Sequence, residues 1–191
     1  MSFLNMKKLI TQIWLFTGLL LAVFTSQSSF AQTTAPEQND NLYKDFKTEH
    51  VWDAKVKIAG LINIGNSKRG TRRAIPITGG TFSGPKIKGE VLSGGEDCQL
   101  VRPDGDTELN ARYFLKTSDG FTILITNQVL MHIPKTGENR TPYTKSVIDI
   151  EAPSDSPYDY LNHAIYIGTL EMPKLKAGED PYVLIGVYKL L

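Results

Sequence analysis

Leu109 to Thr117 (LNARYFLKT), Ser118-Asp119-Gly120 and Phe121 to His132 (FTILITNQVLMH) decide the fold. Ala111, Tyr113 and Leu115 share one side of the first run, and Arg112 and Phe114 share the other. That two-residue period belongs to a strand. Between the runs, Asp119-Gly120 is a hairpin signal, because glycine takes the positive φ that a tight turn requires.

Working outward, the same grammar repeats. Pro103-Asp104-Gly105 is a second turn, reached from Asp97 to Arg102. Ala74 to Phe82 and Ile87 to Leu92 precede it, the latter ended by Ser93-Gly94-Gly95. Trp52, Ala54, Val56 and Ile58 alternate with Asp53, Lys55 and Lys57 in the first strand. Ser146 to Glu151, Ala164 to Leu170 and Tyr182 to Leu190 follow the polar loop 133–144. No long amphipathic helix occurs, and Tyr158 to His163 has room for one helical turn. About nine strands, mostly consecutive, imply an antiparallel meander. Closing it into a small β-barrel hides the sheet edges, and a sandwich is the alternative. A barrel of this size has room for one small ligand.

The N-terminus reads as an export signal. Lys7 and Lys8 precede a mostly apolar stretch, Leu9 to Phe24, and Ser29-Phe30-Ala31 supplies small residues at −3 and −1 of a cleavage site. The strongest apolar stretch, Ile13 to Phe24, falls short of the roughly 20 residues that a spanning helix needs. No stable membrane anchor is therefore expected after cleavage, and no cysteine near the site suggests a lipid anchor. Residues 1–31 are the signal, residues 32–47 a flexible polar leader, and residues 48–191 the barrel domain. The expected location is the periplasm or the exterior.

Composition narrows the partners. Removing the signal takes two lysines and no acids from 21 basic and 20 acidic residues, leaving 19 against 20. A near-neutral chain has no general electrostatic reason to bind nucleic acid. The basic runs Lys68-Arg69 and Arg72-Arg73 read as exposed loop charges. Cys98 is the single cysteine, which excludes an internal disulfide and reads as a small buried apolar residue. Oligomeric state is not legible.

Several motifs are near misses. Gly65 to Thr71 imitates a phosphate-binding loop, but Thr71 stands where the lysine belongs and no helix follows. Gly80-Thr81-Phe82-Ser83-Gly84 places Phe82 where a hydrolase elbow has its serine. Asn139-Arg140-Thr141 is a short glycosylation pattern. His50, His132 and His163 show no metal-ligand spacing, so no metal and no cofactor are expected.

What remains is a set of polar side chains inside strand-like stretches. Asp97 and Gln99 share a face with Val101. Arg112 lies between Ala111 and Tyr113, Glu151 ends a strand, and Asn162 stands beside His163. Buried, such groups pair or await a polar ligand; otherwise they face solvent. In the first case Asp97 or Glu151 does acid–base work, Arg112 holds an anionic group, and Asn162, Gln99 and Tyr113 complete a small-molecule pocket. A cofactor-independent enzyme, a non-catalytic binder of a small organic ligand and a structural envelope protein all stay open.

Arg72 to Pro85 (RRAIPITGGTFSGP) resembles the signature of the DUF3237 family. The resemblance continues through Gly89-Glu90-Val91-Leu92, Gly94 to Asp97, Gln99 to Gly105, Ala111-Arg112-Tyr113 and Asp119-Gly120. It closes on Glu151 and Pro157 to Asn162. The resemblance implies a small antiparallel β-barrel, candidate positions and no reaction. Because the Ala-Arg-Tyr unit recurs in the family, it also implies that Arg112 points inward, beside Asp97 or Glu151. Cys98 and Tyr160 stand where the family pattern has tryptophan, and Ile150 where it has phenylalanine. If those aromatics wall a pocket, the ligand here differs from that of the relatives.

Overall fold

A computed structural model describes residues 46–191 of the chain. The expected export signal and nearly all of the expected polar leader lie outside the described residues. Ten strands follow: β1 (Thr48–Ile58), β2 (Ile62–Ser67), β3 (Gly70–Ser83), β4 (Lys88–Val91), β5 (Gly95–Val101), β6 (Thr107–Thr117), β7 (Thr122–His132), β8 (Tyr143–Glu151), β9 (Tyr166–Glu171) and β10 (Tyr182–Leu190). A single 3-10 turn, Asp159–His163, lies between β8 and β9.

The strands close into an antiparallel barrel. Hydrogen bonding runs from β1 through β10, β9, β8, β7 and β6, and β1 pairs with β3 to shut the ring. The remaining wall position, between β6 and β3, is shared by two short strands. β5 pairs with the first half of each neighbour, and β4 with the second. Closure demands glycine where β3 runs against β1. Gly80 has φ 139°, and a Cβ there would lie 2.0 Å from the Lys55 carbonyl oxygen of β1.

Both expected Asp-Gly pairs are hairpin turns. Gly105 and Gly120 each have φ 98°, and their amides donate to Arg102 and Thr117 carbonyl oxygens at 3.0 and 2.9 Å. The imitation of a phosphate loop is the β2–β3 hairpin, in which Ser67 pairs with Gly70. β2 itself escaped the alternation test: it pairs only with β3, and Ile62 and Ile64 are 53% and 61% exposed. Nothing buries either isoleucine, so no inside-outside pattern marks the strand.

The two halves of the interior differ. At the end carrying the Asp119-Gly120 turn, the barrel is filled by Trp52, Phe82, Leu115, Ile123, Ile150 and Val187. Trp52 meets Phe82 edge-on at 5.8 Å between centroids. The 3-10 turn covers this end. Leu161 is buried there, and Tyr158 Oη donates to Asp119 Oδ1 at 2.9 Å. The opposite half is not filled.

Candidate functional site

The unfilled half is a cavity of about 230 Å³. Its walls come from the inward positions of β1, β3, β5, β6, β7 and β10, together with Leu61, Leu170 and Met172. Most of the lining is aliphatic. The polar exceptions are Arg73, Asp97, Gln99, Asn127 and the hydroxyl-bearing Tyr113.

Strand parity explains these exceptions. On β5, Asp97 and Gln99 are two apart and both turn inward. On β3, Arg73 shares the inward series with Ile75 and Ile77 and stands opposite Gln99. The three join in a chain: Arg73 Nε donates to Gln99 Oε1 at 2.6 Å, and Gln99 Nε2 donates to Asp97 Oδ2 at 2.6 Å. Gln99 is only 5% exposed, so both bonds are well shielded from water.

Asp97 Oδ1 is buried and has no hydrogen-bond partner. Burial pushes this carboxyl above the ordinary carboxylate range, opposed in turn by the Gln99 hydrogen bond, by the nearby Asn110 backbone amide and, least, by the Arg73 charge. Burial likewise pushes up the Tyr113 phenol, which is 2% exposed. Both groups thus favour their protonated forms more than they would in water.

Three candidates from the sequence stand elsewhere. Arg112 is a correction: it faces solvent, opposite Glu96. The reason is alternation, since Ala111, Tyr113 and Leu115 take the buried face of β6 and leave Arg112 and Phe114 outside. Glu151 is a second correction. Ser146, Ile148 and Ile150 fill the inward positions of β8, so Glu151 emerges on the outer face, away from Asp97. Asn162 is a third. Its Oδ1 accepts from the Ala152 amide at 2.8 Å, while Nδ2 donates to the Ala152 carbonyl at 2.9 Å and to Asp159 Oδ1 at 3.0 Å. It clasps the 3-10 turn to the end of β8. Asp97, Gln99 and Tyr113 do line the cavity.

Two lining residues escaped the sequence reading. Arg73, read there as a loop charge, is a half-buried residue in the middle of a strand. Asn127 occupies an inward position of β7 between Ile125 and Val129, and it is 1% exposed. In each case the signal was a polar residue in an otherwise apolar alternation. Cys98 is also a correction, being half-buried on the outer side of β5, with Sγ 3.4 Å from Glu96 Oε1. The histidines stay apart, each beside a different aspartate: His50 by Asp53, His132 by Asp106 and His163 by Asp159.

Fold and cavity define a class: a small closed antiparallel barrel with one packed half and one open, mostly apolar half. The chain belongs to the family described as protein of unknown function (DUF3237), whose model matches residues 46–190. A UPF0311 protein of Clostridium acetobutylicum is 32% identical over 158 residues, covering 77% of this chain and 96% of that protein. The crystal structure of a conserved protein of unknown function from Rhodopseudomonas palustris superposes with a TM-score of 0.67 at 27% identity, covering 78% and 99% of the two chains. A hydroalkoxylation enzyme of Penicillium herquei is 31% identical over 93 residues, covering 49% of this chain and 53% of that protein.

Proposed function

We propose that the barrel binds a small, largely apolar organic molecule in its open half and that Asp97 does acid–base work on it. The observation that carries this reading is a carboxyl with one unpartnered oxygen, Asp97 Oδ1, set in the wall of an apolar cavity. Gln99 fixes the other oxygen, so the free one has a defined direction. Arg73, one hydrogen bond further on, takes the cationic role that the sequence suggested for Arg112. It moderates the cost of ionising Asp97 and offers its remaining N–H groups to an anionic substituent near the mouth.

The Penicillium herquei relative supports the enzymatic form of this reading. Hydroalkoxylation adds an O–H across a carbon–carbon double bond, so one proton leaves oxygen and one reaches carbon. A carboxyl whose burial favours the protonated form suits proton transfer of that kind. The aliphatic lining supports a substrate that is mostly hydrocarbon.

The test uses 2-allylphenol, which carries both functions. Wild type should show a thermal shift with it, and Ala111→Leu, which fills the space beside Asp97, should lose that shift. Chromatography should resolve a cyclic ether formed by wild type and not by Asp97→Asn. Binding without turnover would leave the non-catalytic binder as the function. A shift that persists in Ala111→Leu would place the ligand elsewhere and overturn the reading.

We further propose that the chain is exported and begins at Gln32 after cleavage. The support is the Ser29-Phe30-Ala31 site behind Lys7, Lys8 and the apolar stretch. Intact mass of the protein from the host's envelope fraction decides it, and a full-length species confined to the cytoplasm would overturn it.

A further inference from the structure

Asn127 is a second group in the cavity wall with a buried oxygen that the fold leaves without a partner. The inward series of β7 is Ile123, Ile125, Asn127, Val129 and Met131, apolar at every other member. Its side chain is 1% exposed, and its Oδ1 has no hydrogen-bond partner. An unpaired buried amide oxygen opposes folding, and an aliphatic side chain in its place would not. Retaining an amide there is therefore explained by something that enters the cavity.

Register links Asn127 to Asp97. Asp97 pairs with Ala111 on β6, and Ala111 pairs with Asn127 on β7. The two polar side chains thus leave the wall at the same height, two strands apart, or roughly 10 Å between backbones at the usual strand spacing. Between them Ala111 contributes a single methyl group, so the space above it is open. Leu109 and Val129, the next inward residues toward the mouth on β6 and β7, offer no hydrogen bond, and Tyr113 is the inward neighbour on the other side of Ala111.

We propose that the ligand carries two oxygen functions on one rigid hydrocarbon frame, one held by Asp97 and the other by Asn127 across Ala111. A dihydroxylated bicyclic aromatic has this chemistry. Its frame fits, since an apolar cavity of about 150 Å³ already holds benzene and this one reaches about 230 Å³. A ligand with a single oxygen leaves one of the two buried groups unpaired, and sites built around a hydroxyl discriminate strongly against analogues lacking it. The inference rests on the proposed binding at Asp97 and adds Asn127 as the residue that sets specificity.

The experiment is calorimetric titration of wild type and Asn127→Leu with 2-naphthol and 2,7-dihydroxynaphthalene. Wild type should bind the diol roughly tenfold more tightly than the mono-ol, the yield of one net hydrogen bond. In Asn127→Leu that ratio should collapse toward one while binding itself persists. Where Asn127→Leu does not fold, Asn127→Ala, which adds no volume, is read in the same way. Equal affinities in wild type, or a ratio that survives in the variant, would overturn the two-anchor inference alone. Failure of both compounds to bind wild type would overturn the ligand-binding reading beneath it.

Discussion

Gln99 stands between a guanidinium and a carboxyl: its Oε1 accepts from Arg73 Nε and its Nε2 donates to Asp97 Oδ2, each at 2.6 Å. The amide therefore separates the two charges instead of letting them touch. Arg73 lowers the Asp97 carboxyl only from a distance, and burial prevails. A directly bonded ion pair would have held Asp97 ionised and spent its oxygens on the arginine.

The first expected consequence is a pH signature. A carboxyl raised in the folded state binds its proton more tightly there than in the unfolded chain. Its contribution to stability is complete below the unfolded value, about 4, and is lost as pH rises through the folded value. Asp97→Asn cannot ionise and escapes this loss. The stability of the variant relative to wild type should therefore increase from pH 4 upward and level off above the folded value. Urea unfolding at pH 4, 5, 6 and 7 measures it, and a difference that does not change with pH would contradict it.

Replacing Gln99 by leucine should strand both of its partners. Leaving a buried polar group unpaired costs about 1–3 kcal/mol, and Gln99→Leu should destabilise by that order. The Gln99 hydrogen bond is also the chief influence holding Asp97 down. In Gln99→Leu the Asp97 carboxyl should titrate at higher pH, as followed by carbon-13 NMR of the carboxyl. A midpoint that stays put or falls would show that the relay does not act on Asp97.

Gly80 and Gly94 offer a controlled comparison. Both have positive φ, 139° and 105°, but a Cβ at Gly80 meets the Lys55 backbone whereas one at Gly94 meets nothing within 4 Å. Gly94→Ala should cost about 1–2 kcal/mol from backbone strain alone. Gly80→Ala should cost about 3 kcal/mol or more, because β1 must move away from β3. Denaturation midpoints of the two variants test this, and similar losses would mean that the barrel closure is softer than its geometry indicates.

Arg112→Ala should shift stability by no more than about 0.5 kcal/mol, as exposed substitutions do. Asn162→Ala should cost about 1–3 kcal/mol through its lost hydrogen bonds and speed hydrogen exchange at the Ala152 amide. Neither should alter binding of 2-naphthol. A large binding loss in Arg112→Ala would return that residue to the site.

The barrel was legible because its turns are explicit. Asp104-Gly105 and Asp119-Gly120 mark hairpins, and the strand between them, β6, alternates cleanly. β2 lacks both a buried face and a second neighbour, so its isoleucines carry no periodic signal. The site was legible on β5 and β6, where parity alone decides, and less so elsewhere. Of the expected residues, Asp97, Gln99 and Tyr113 line the cavity, whereas Arg112, Glu151 and Asn162 stand outside it and Arg73 and Asn127 take places in its wall. Arg112 was placed inside on a family pattern although Ala111, Tyr113 and Leu115 already claimed the interior of β6. Asn127 and Arg73 were visible as polar residues breaking apolar series, but which side of a closed sheet is inside becomes certain only when neighbouring strands are in register.

Trp52, Phe82 and Leu115 crowd one end of the barrel, while Ala111 and Asn127 look onto open space at the other. This arrangement separates two kinds of selection along one axis. Substitutions at the crowded end are judged by whether the chain survives. Among the aliphatic positions of the open end they are judged more by what the molecule holds. Descendants of one ancestral barrel can therefore diverge in their chemistry while keeping a common packed end, and a mutagenesis library confined to the aliphatic lining of the open end would sample new ligands with less thinning by misfolding than one spread over the packed end.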